Sequence, residues 1–336
     1  MKAVVLSEPG RFALMDVATP SPAPGQALLR VRASTVCGTD QKIVYGQFPG
    51  TPFPHIPGHE FAGEVVELGA GVDEVRVGDR VGVEVHVGCG TCARCLEGLY
   101  QLCLNYGRRD KGHAHIGFTV PGGLAEFVAV SVKALHPLPA HLSWDEGAFC
   151  DNIGIALYAV ERGNLRAGER VIVVGGGAFG GLAAQVARAL GAAHVTLLGT
   201  RRERLERLHG MADLVTTGAP EERADLVLEF AGTSDAARQA ISLARRGGRV
   251  VLAGATGPGR ELSGVDLSTI VRGHLDVYGS LANPRGISQR GLELIARGDV
   301  HVKPLITHAF GLDDFEEAWA TFVERRDGAI RVMLHP

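Results

Sequence analysis

At 336 residues the chain is long enough for about two domains, and its 46% hydrophobic and 21% charged residues fit a globular protein with large cores. A net charge of −3 argues against the basic face of a nucleic-acid binder and the acidic excess of a disordered chain. The opening MKAVVLSEPGRFALMDV lacks the apolar core of a signal peptide, and the longest uncharged run (171–187) is interrupted by glycines. No membrane partner is expected, and the cytoplasm, where cysteines stay reduced, is the default location.

The first 150 residues read as β-rich. VVLSEPGRFALMDV, ALLRVRAST, FAGEVVELG, DRVGVEV and AEFVAV are short β-branched runs separated by Gly, Pro and Asp turns. Cys37 closes one of these strands in STVCGTDQ, and His59 and Glu60 open another in PGHEFAGEVVELG. Cysteine, histidine and carboxylate in mixed sets are the ligands of open, catalytic zinc sites, although a lone Cys or His is commonly just packed. Next comes the densest signal in the chain. Cys89, Cys92, Cys95 and Cys103 fall within GCGTCARCLEGLYQLC. Two-residue gaps let consecutive thiolates converge on one ion, and four of them satisfy Zn²⁺ completely, which makes the site structural. A disulfide framework and an iron–sulfur cluster are the competing readings. The intracellular character of the chain counts against the first, and the spacing after the third cysteine against the second.

After Trp144 the character changes. Residues 145–162 read as a helix, with Cys150 and Asp151 at the domain junction, and the strand RVIVV (170–174) follows. A helix is then expected at 179–190, strand at 194–198, helix at 201–209 and strand at 213–217. Further strands are expected at 225–230, 249–255 and 275–281, with a helix at 234–245 between the first two. Strands alternating with helices predict a doubly wound parallel sheet. Gly175, Gly177 and Gly180, with Ala178 and Phe179 between the last two, lie directly after a strand and open a helix, the setting of a dinucleotide pyrophosphate loop. The second strand ends in Gly199, Thr200, Arg201 and Arg202, with no carboxylate to hold an adenosine ribose. Glycine makes room for a 2′-phosphate and arginine can grip it through paired hydrogen bonds, so NADP(H) is expected ahead of NAD(H). Only GAPEERA joins the third strand to the fourth, too short for a helical crossover. Ala253, Gly254 and Ser280, at late strand ends, are expected at the nicotinamide end of the cofactor. The last residues return to strand, helix and strand, so one domain is inserted in the other. The boundaries read as 1–150 with 287–336 for the outer domain and 151–286 for the inner one, with a zinc lobe at about 86–106.

Taken together, Gly58-His59-Glu60-x-x-Gly63 with Gly69, the cysteine quartet and the inserted glycine loop resemble the zinc-dependent medium-chain dehydrogenases, a family of alcohol, polyol and threonine dehydrogenases. The likeness covers essentially the whole chain and sits nearest the sorbitol and sugar branch. It implies a GroES-like β-rich domain carrying an inserted Rossmann domain, two zinc ions per chain, and a homotetramer or dimer. It further implies that Cys37 and His59 bind the catalytic zinc, with Glu60 as ligand or close neighbour. Asp40 would fix the His59 tautomer, and Thr39 would hydrogen-bond the zinc-bound alcohol and pass its proton towards solvent. Asp151 falls at the remaining ligand position, where the polyol and threonine branches place a carboxylate, with Cys150 as the alternative. The implied reaction makes zinc a Lewis acid toward the alcohol and passes hydride to nicotinamide C4.

Lys42 stands where threonine dehydrogenases carry histidine, which counts against threonine; near the zinc it would suit a polyhydroxylated or acidic substrate, and a plain solvent-exposed lysine is an equal alternative. The expectation is therefore a secondary alcohol of sugar, polyol or cyclitol type and its ketone. A threonine or simple-alcohol dehydrogenase using NAD(H) is the alternative. A non-catalytic relative would have lost Cys37, Thr39 or His59, and a zinc-independent reductase would lack both metal constellations.

Overall fold

The computed structural model describes residues 1–48, 50–254 and 261–336. It divides into two compact units, one of residues 1–151, 283–296 and 306–336 and the other of residues 152–282 and 297–305. These borders differ from the sequence expectation at both ends of the inserted segment. Residues 283–286 stay with the outer unit, where the Asn283 amide bonds the Asp151 backbone and side chain. Residues 297–305 join the inner unit, where Gln185 brackets His301 by accepting its N–H and donating to its carbonyl.

The outer unit is built on a seven-stranded sheet. Its path runs Ile306–Gly311, Arg331–His335, Gln26–Val36, Phe61–Leu68, Arg80–Val83 and Leu135–Pro137, and Phe127–Ser131 also pairs with Gln26–Val36. The first expected run forms a hairpin, Lys2–Glu8 with Arg11–Asp16. Phe127–Ser131 alternates buried and half-buried residues, the mark of a sheet with one face on the core. Chain return is real: Val332, Met333 and Leu334 pair with Val36, Thr35 and Ser34. That register brings the C-terminal strand beside the residue preceding Cys37. The helix Phe315–Glu324 closes this side, with Phe315, Trp319 and Phe322 in a core shared with Val4, Leu6 and Ile43.

The inner unit is a six-stranded parallel sheet in the order Leu214–Thr216, His194–Leu198, Arg170–Val174, Ala224–Glu229, Ala244–Leu252 and Asp276–Gly279. Arg170–Val174 is buried on both faces after its first residue, as parallel strands covered by helices must be. The strand order reverses between Arg170–Val174 and Ala224–Glu229, the switch point where such sheets bind ligands. Residues 217–223 make that crossing without a helix, as their brevity requires. The expected strand at 249–255 starts earlier, at Ala244, and its residue 255 lies outside the described residues. The expected helix at 145–162 is two helices, Trp144–Gly147 and Cys150–Arg162, divided after a glycine of poor helix propensity. The helices Gly38–Val44, Leu267–Gly273 and Ile287–Ala296 were not anticipated; the second starts at Asp266, whose side chain accepts from the Ser268 N–H. Among the described residues no helix is long and apolar enough to cross a membrane.

Candidate metal centres and dinucleotide site

Cys37 ends the strand Gln26–Val36 and caps the helix Gly38–Val44. Its backbone N–H donates to Asp40 Oδ2 at 2.8 Å, while Asp40 Oδ1 lies 3.0 Å from His59 Nδ1. One fully buried carboxylate thus ties the cysteine turn to the histidine. It holds the proton on Nδ1 and leaves Nε2 as the metal-binding nitrogen. Gly58 delivers His59 from a φ of +98°, and a Cβ there would stand 2.5 Å from the Leu124 nitrogen. Only glycine fits both the conformation and the space. The donor atoms of Cys37, His59 and Glu60 lie within 4.8 Å of one another, and all three residues are buried. Burial opposes a charged His59 ring, yet Asp40 and Cys37 outweigh it and hold its pKa well above the ordinary histidine value. Thiolate, imidazole and carboxylate gathered within reach of one ion are a zinc donor set.

Glu60 has a second role that the sequence did not show. Its Oε2 accepts from the Thr35 hydroxyl and from Arg331 Nη1, the latter at 2.8 Å, and its Oε1 lies 3.7 Å from His59 Nε2. Arg331 is 3% exposed, so the pair is a buried ion pair drawn from opposite ends of the chain. No local signal marks it, because it depends on the C-terminal strand lying next to Gln26–Val36. Thr39 Oγ1 sits 3.9 Å from Cys37 Sγ, and Lys42 is half-buried on the same helix.

Asp151 stands outside the three-donor group. Its Oδ1 accepts from the Val85 N–H at 3.0 Å and from Asn283 Nδ2 at 2.9 Å. Burial, with Glu84 and Glu60 nearby, pushes its pKa up to about 7 despite the Val85 bond and His59. Cys150 is buried against Gly82, and burial raises its thiol pKa well above the ordinary value, a poor ligand by comparison.

The quartet is brought together as expected. The four sulfurs lie within 4.8 Å of one another, with Cys89–Cys95 at 3.9 Å and Cys92–Cys103 at 4.0 Å. A Zn–S length of about 2.3 Å gives a tetrahedral edge of about 3.8 Å, so the spacing fits one zinc and no disulfide. Donors already face the thiolates: Asn105 Nδ2 at 3.3 Å and Thr91 Oγ1 at 3.6 Å from Cys89, and the Leu104 N–H at 3.4 Å from Cys92. The Asn105 bond leads in lowering the Cys89 pKa, while burial raises that of Cys95, so a full set of four thiolates calls for a cation.

In the inner unit, Gly177 caps the helix Ala178–Ala189 immediately after the strand Arg170–Val174. A Cβ on Gly180 would come 1.8 Å from the Gly175 carbonyl oxygen, so this glycine is required for the helix to approach the loop. Gly199 packs against Gly176, where a Cβ would meet its Cα at 3.0 Å; its smallness serves loop packing as well as open space. Arg201 caps the short helix Arg202–Glu206, and Thr200, Arg201 and Arg202 are exposed. Arg204, not anticipated, brings Nη2 to 3.6 Å from the place of a Gly177 Cβ. Its position one turn into the helix was the available signal. Ala253 and Gly254 donate their N–H groups to the Glu229 carbonyl, and the Ser280 N–H binds the Leu252 carbonyl, which sets all three at the carboxyl ends of their strands.

A β-rich unit with one four-thiolate and one Cys/His/Glu centre, and a parallel sheet with a glycine loop at its switch point, define a zinc-dependent, dinucleotide-linked dehydrogenase. Residues 23–140 match the model of the alcohol dehydrogenase GroES-like domain, and residues 178–297 that of the zinc-binding dehydrogenases. The chain is 31% identical to the L-threonine 3-dehydrogenase of Rhizobium rhizogenes, covering 98% of this chain and 97% of that one. It is equally 31% identical to the sorbitol dehydrogenase of Halalkalibacterium halodurans, covering 100% and 99%. A zinc-binding dehydrogenase structure from Sinorhizobium meliloti 1021 bound to NADP superimposes with a TM-score of 0.89 at 30% identity, over 100% and 99% of the two chains. The chain belongs to the zinc-containing medium-chain alcohol dehydrogenase family. It is an oxidoreductase acting on CH–OH groups with NAD(P), and its zinc sites are the structural quartet and the Cys/His/Glu centre.

Proposed function

We propose that the chain interconverts a secondary alcohol of sugar, polyol or cyclitol type and its ketone, with NADP(H) as coenzyme. The observation that carries the dehydrogenase chemistry is the group Cys37, His59 and Glu60, locked by Asp40. When bound, zinc supplies Lewis acidity toward the alcohol oxygen and the nicotinamide accepts hydride. Cys37 Sγ and His59 Nε2 hold the metal, and Glu60, restrained by Arg331, completes its surroundings. Thr39 Oγ1 would accept a hydrogen bond from the substrate hydroxyl and, as it receives that proton, pass its own on towards solvent. Asp151, with Oδ1 occupied, acts through Oδ2 or through a water. Ala253, Gly254 and Ser280 border the nicotinamide end.

NADP(H) is favoured by Arg201, Arg202 and Arg204 around Gly177 and Gly199, with no carboxylate at the end of the second strand. Comparing NADPH and NADH affinities tests this, and Arg201→Ala with Arg202→Ala should weaken NADPH at least tenfold more than NADH. A wild-type preference for NADH would overturn the arginine argument. A panel of polyols, aldoses, cyclitols, threonine and simple alcohols scored by NADPH formation tests the substrate class, and preference for threonine would refute it.

The chain is also proposed to act as a homo-oligomer in the cytoplasm. Asp276–Gly279 is an edge strand among the described residues, and Val277, Leu281, Leu267 and Val271 expose apolar surface there at 37%, 59%, 71% and 76%. An open apolar edge of this kind favours pairing with a second copy. None of the six cysteines is in a disulfide, in keeping with a reducing compartment.

A further inference from the structure

Beside the Cys37/His59/Glu60 centre the outer unit holds a layer of rings that metal binding does not use. Phe118 lies against His59 at 4.9 Å between centroids and stacks on His115 at 3.6 Å, nearly parallel at 12°. His115 in turn stacks on His86 at 4.1 Å and 22°, and Phe48 meets both His115 and Phe118 edge-on. His86 and His115 are also directly paired between the strands His86–Val87 and Ala114–His115. Each is more than nine-tenths buried. Hydrophobic residues alone would fill such a layer more cheaply, because buried imidazoles require partners.

Those partners are incomplete. His115 Nδ1 shares a hydrogen bond with the Tyr106 hydroxyl, which leaves Nε2 as its remaining polar point. His86 Nδ1 is buried and has no hydrogen-bond partner among the described residues. The Tyr106 anchor is itself rigidly based: the preceding residue, Asn105, donates to Cys89 of the thiolate quartet. Sequence neighbours 105 and 106 therefore connect the zinc lobe to the ring layer beside the catalytic centre.

We propose that His115, positioned by Tyr106, is a specificity-determining residue that binds a second hydroxyl group of the substrate. This rests on the reading of the Cys37/His59/Glu60 centre as the place where the first hydroxyl is oxidised, and it deepens the polyol assignment. Two imidazoles stacked 4.1 Å apart in a buried layer cannot both carry charge, since like charges at that separation repel strongly. Burial also keeps both rings below the ordinary histidine pKa, His86 at about 3 with His113 and His59 adding to the effect. A neutral ring offers at Nε2 either a donor or an acceptor, according to its tautomer. A hydroxyl group satisfies both cases. A carboxylate satisfies only a donor and an ammonium group only an acceptor, and neither gains a countercharge. The layer consequently selects a neutral polyol over an amino acid or a sugar acid.

The experiment uses the zinc-loaded full chain and three alcohols of one carbon skeleton: 2-pentanol, 2,3-pentanediol and 2,4-pentanediol. Wild type is expected to favour at least one diol over 2-pentanol about tenfold in kcat/KM, carried mainly by KM, the effect of one good hydrogen bond. His115→Phe should collapse that ratio toward one. His115→Gln, which keeps an N–H, should restore most of it, and Tyr106→Phe should reduce it about threefold. Zinc content of each variant reports an intact fold. The proposal is overturned if wild type shows no diol preference, or if His115→Phe lowers kcat/KM for all three alcohols by the same factor. Failure of the polyol reading is distinct: sugars, polyols and cyclitols would then go unused while a diol ratio dependent on His115 persists.

Discussion

Asp40→Asn isolates one atom's worth of chemistry. Asp40 is fully buried and accepts twice, from the Cys37 N–H through Oδ2 and from His59 Nδ1 through Oδ1. Asparagine keeps the shape but offers one acceptor and one donor. If its oxygen faces Cys37, its NH₂ faces His59 Nδ1, and the ring must move its proton to Nε2, where metal should bind. If its oxygen faces His59, the Cys37 N–H meets a donor, and a buried hydrogen bond worth about 1–3 kcal/mol is lost. Either way the metal suffers. Loss of a partner behind a ligating histidine costs about 10–100-fold in affinity, or roughly 1.4–2.7 kcal/mol. The assay is zinc content across a series of chelators of increasing strength, with the thiolate quartet as internal reference. Two donor groups are present, so wild type should hold two zinc ions per chain where Asp40→Asn holds one. Retention of both ions through the same chelator series, with wild-type stability, would refute the coupling of Asp40 to the metal.

Cys92→Ser should remove the zinc of the lobe and lower thermal stability while the Cys37/His59/Glu60 centre keeps its ion; metal content and melting curves check this, and loss of both ions would contradict independent sites. Burial, as the leading cause, depresses the pKa values of His55, His86 and His115. Below the unfolded value of about 6.5 the unfolded chain binds protons that these folded rings refuse. Stability from them is therefore complete above pH 6.5 and falls as pH drops, by about 1.4 kcal/mol per pH unit for each ring, until its folded pKa is reached. Urea melts at pH 7.5 and 5.5 should show the fall, and His86→Phe should make it shallower if burial is the cause. Val277→Lys on the exposed edge strand should shift sedimentation toward a smaller species, and an unchanged profile would place the interface elsewhere.

How much of the site was legible depended on how local its logic is. The quartet declares itself because four thiolates on one ion need short loops, and short loops leave their spacing in the sequence. Gly175 and Gly180 are legible for a similar reason: the first turns at a φ of +137°, and at the second a Cβ would collide with the Gly175 carbonyl oxygen. Arg204 lies beside Gly177, a placement that a reading of the strand end alone does not reach, because its side chain comes back from within the following helix. Asp151 shows the limit of alignment. The resemblance implies a ligand there, yet Val85 and Asn283 occupy one of its oxygens.

By itself the sequence determined two zinc donor sets, a dinucleotide loop on a parallel sheet, and the nesting of one domain in the other. Each follows from short-range geometry or from the order of strands and helices along the chain. Tertiary structure decided what surrounds those groups. Arg331 reaches Glu60 only because the last strand pairs with Gln26–Val36, and His86 meets His115 only because two short strands align. The contacts between residues far apart in the chain leave no periodic trace, since any partner of suitable size and charge could satisfy them. They nonetheless set the charge beside the Cys37/His59/Glu60 centre and the polarity of the ring layer next to it.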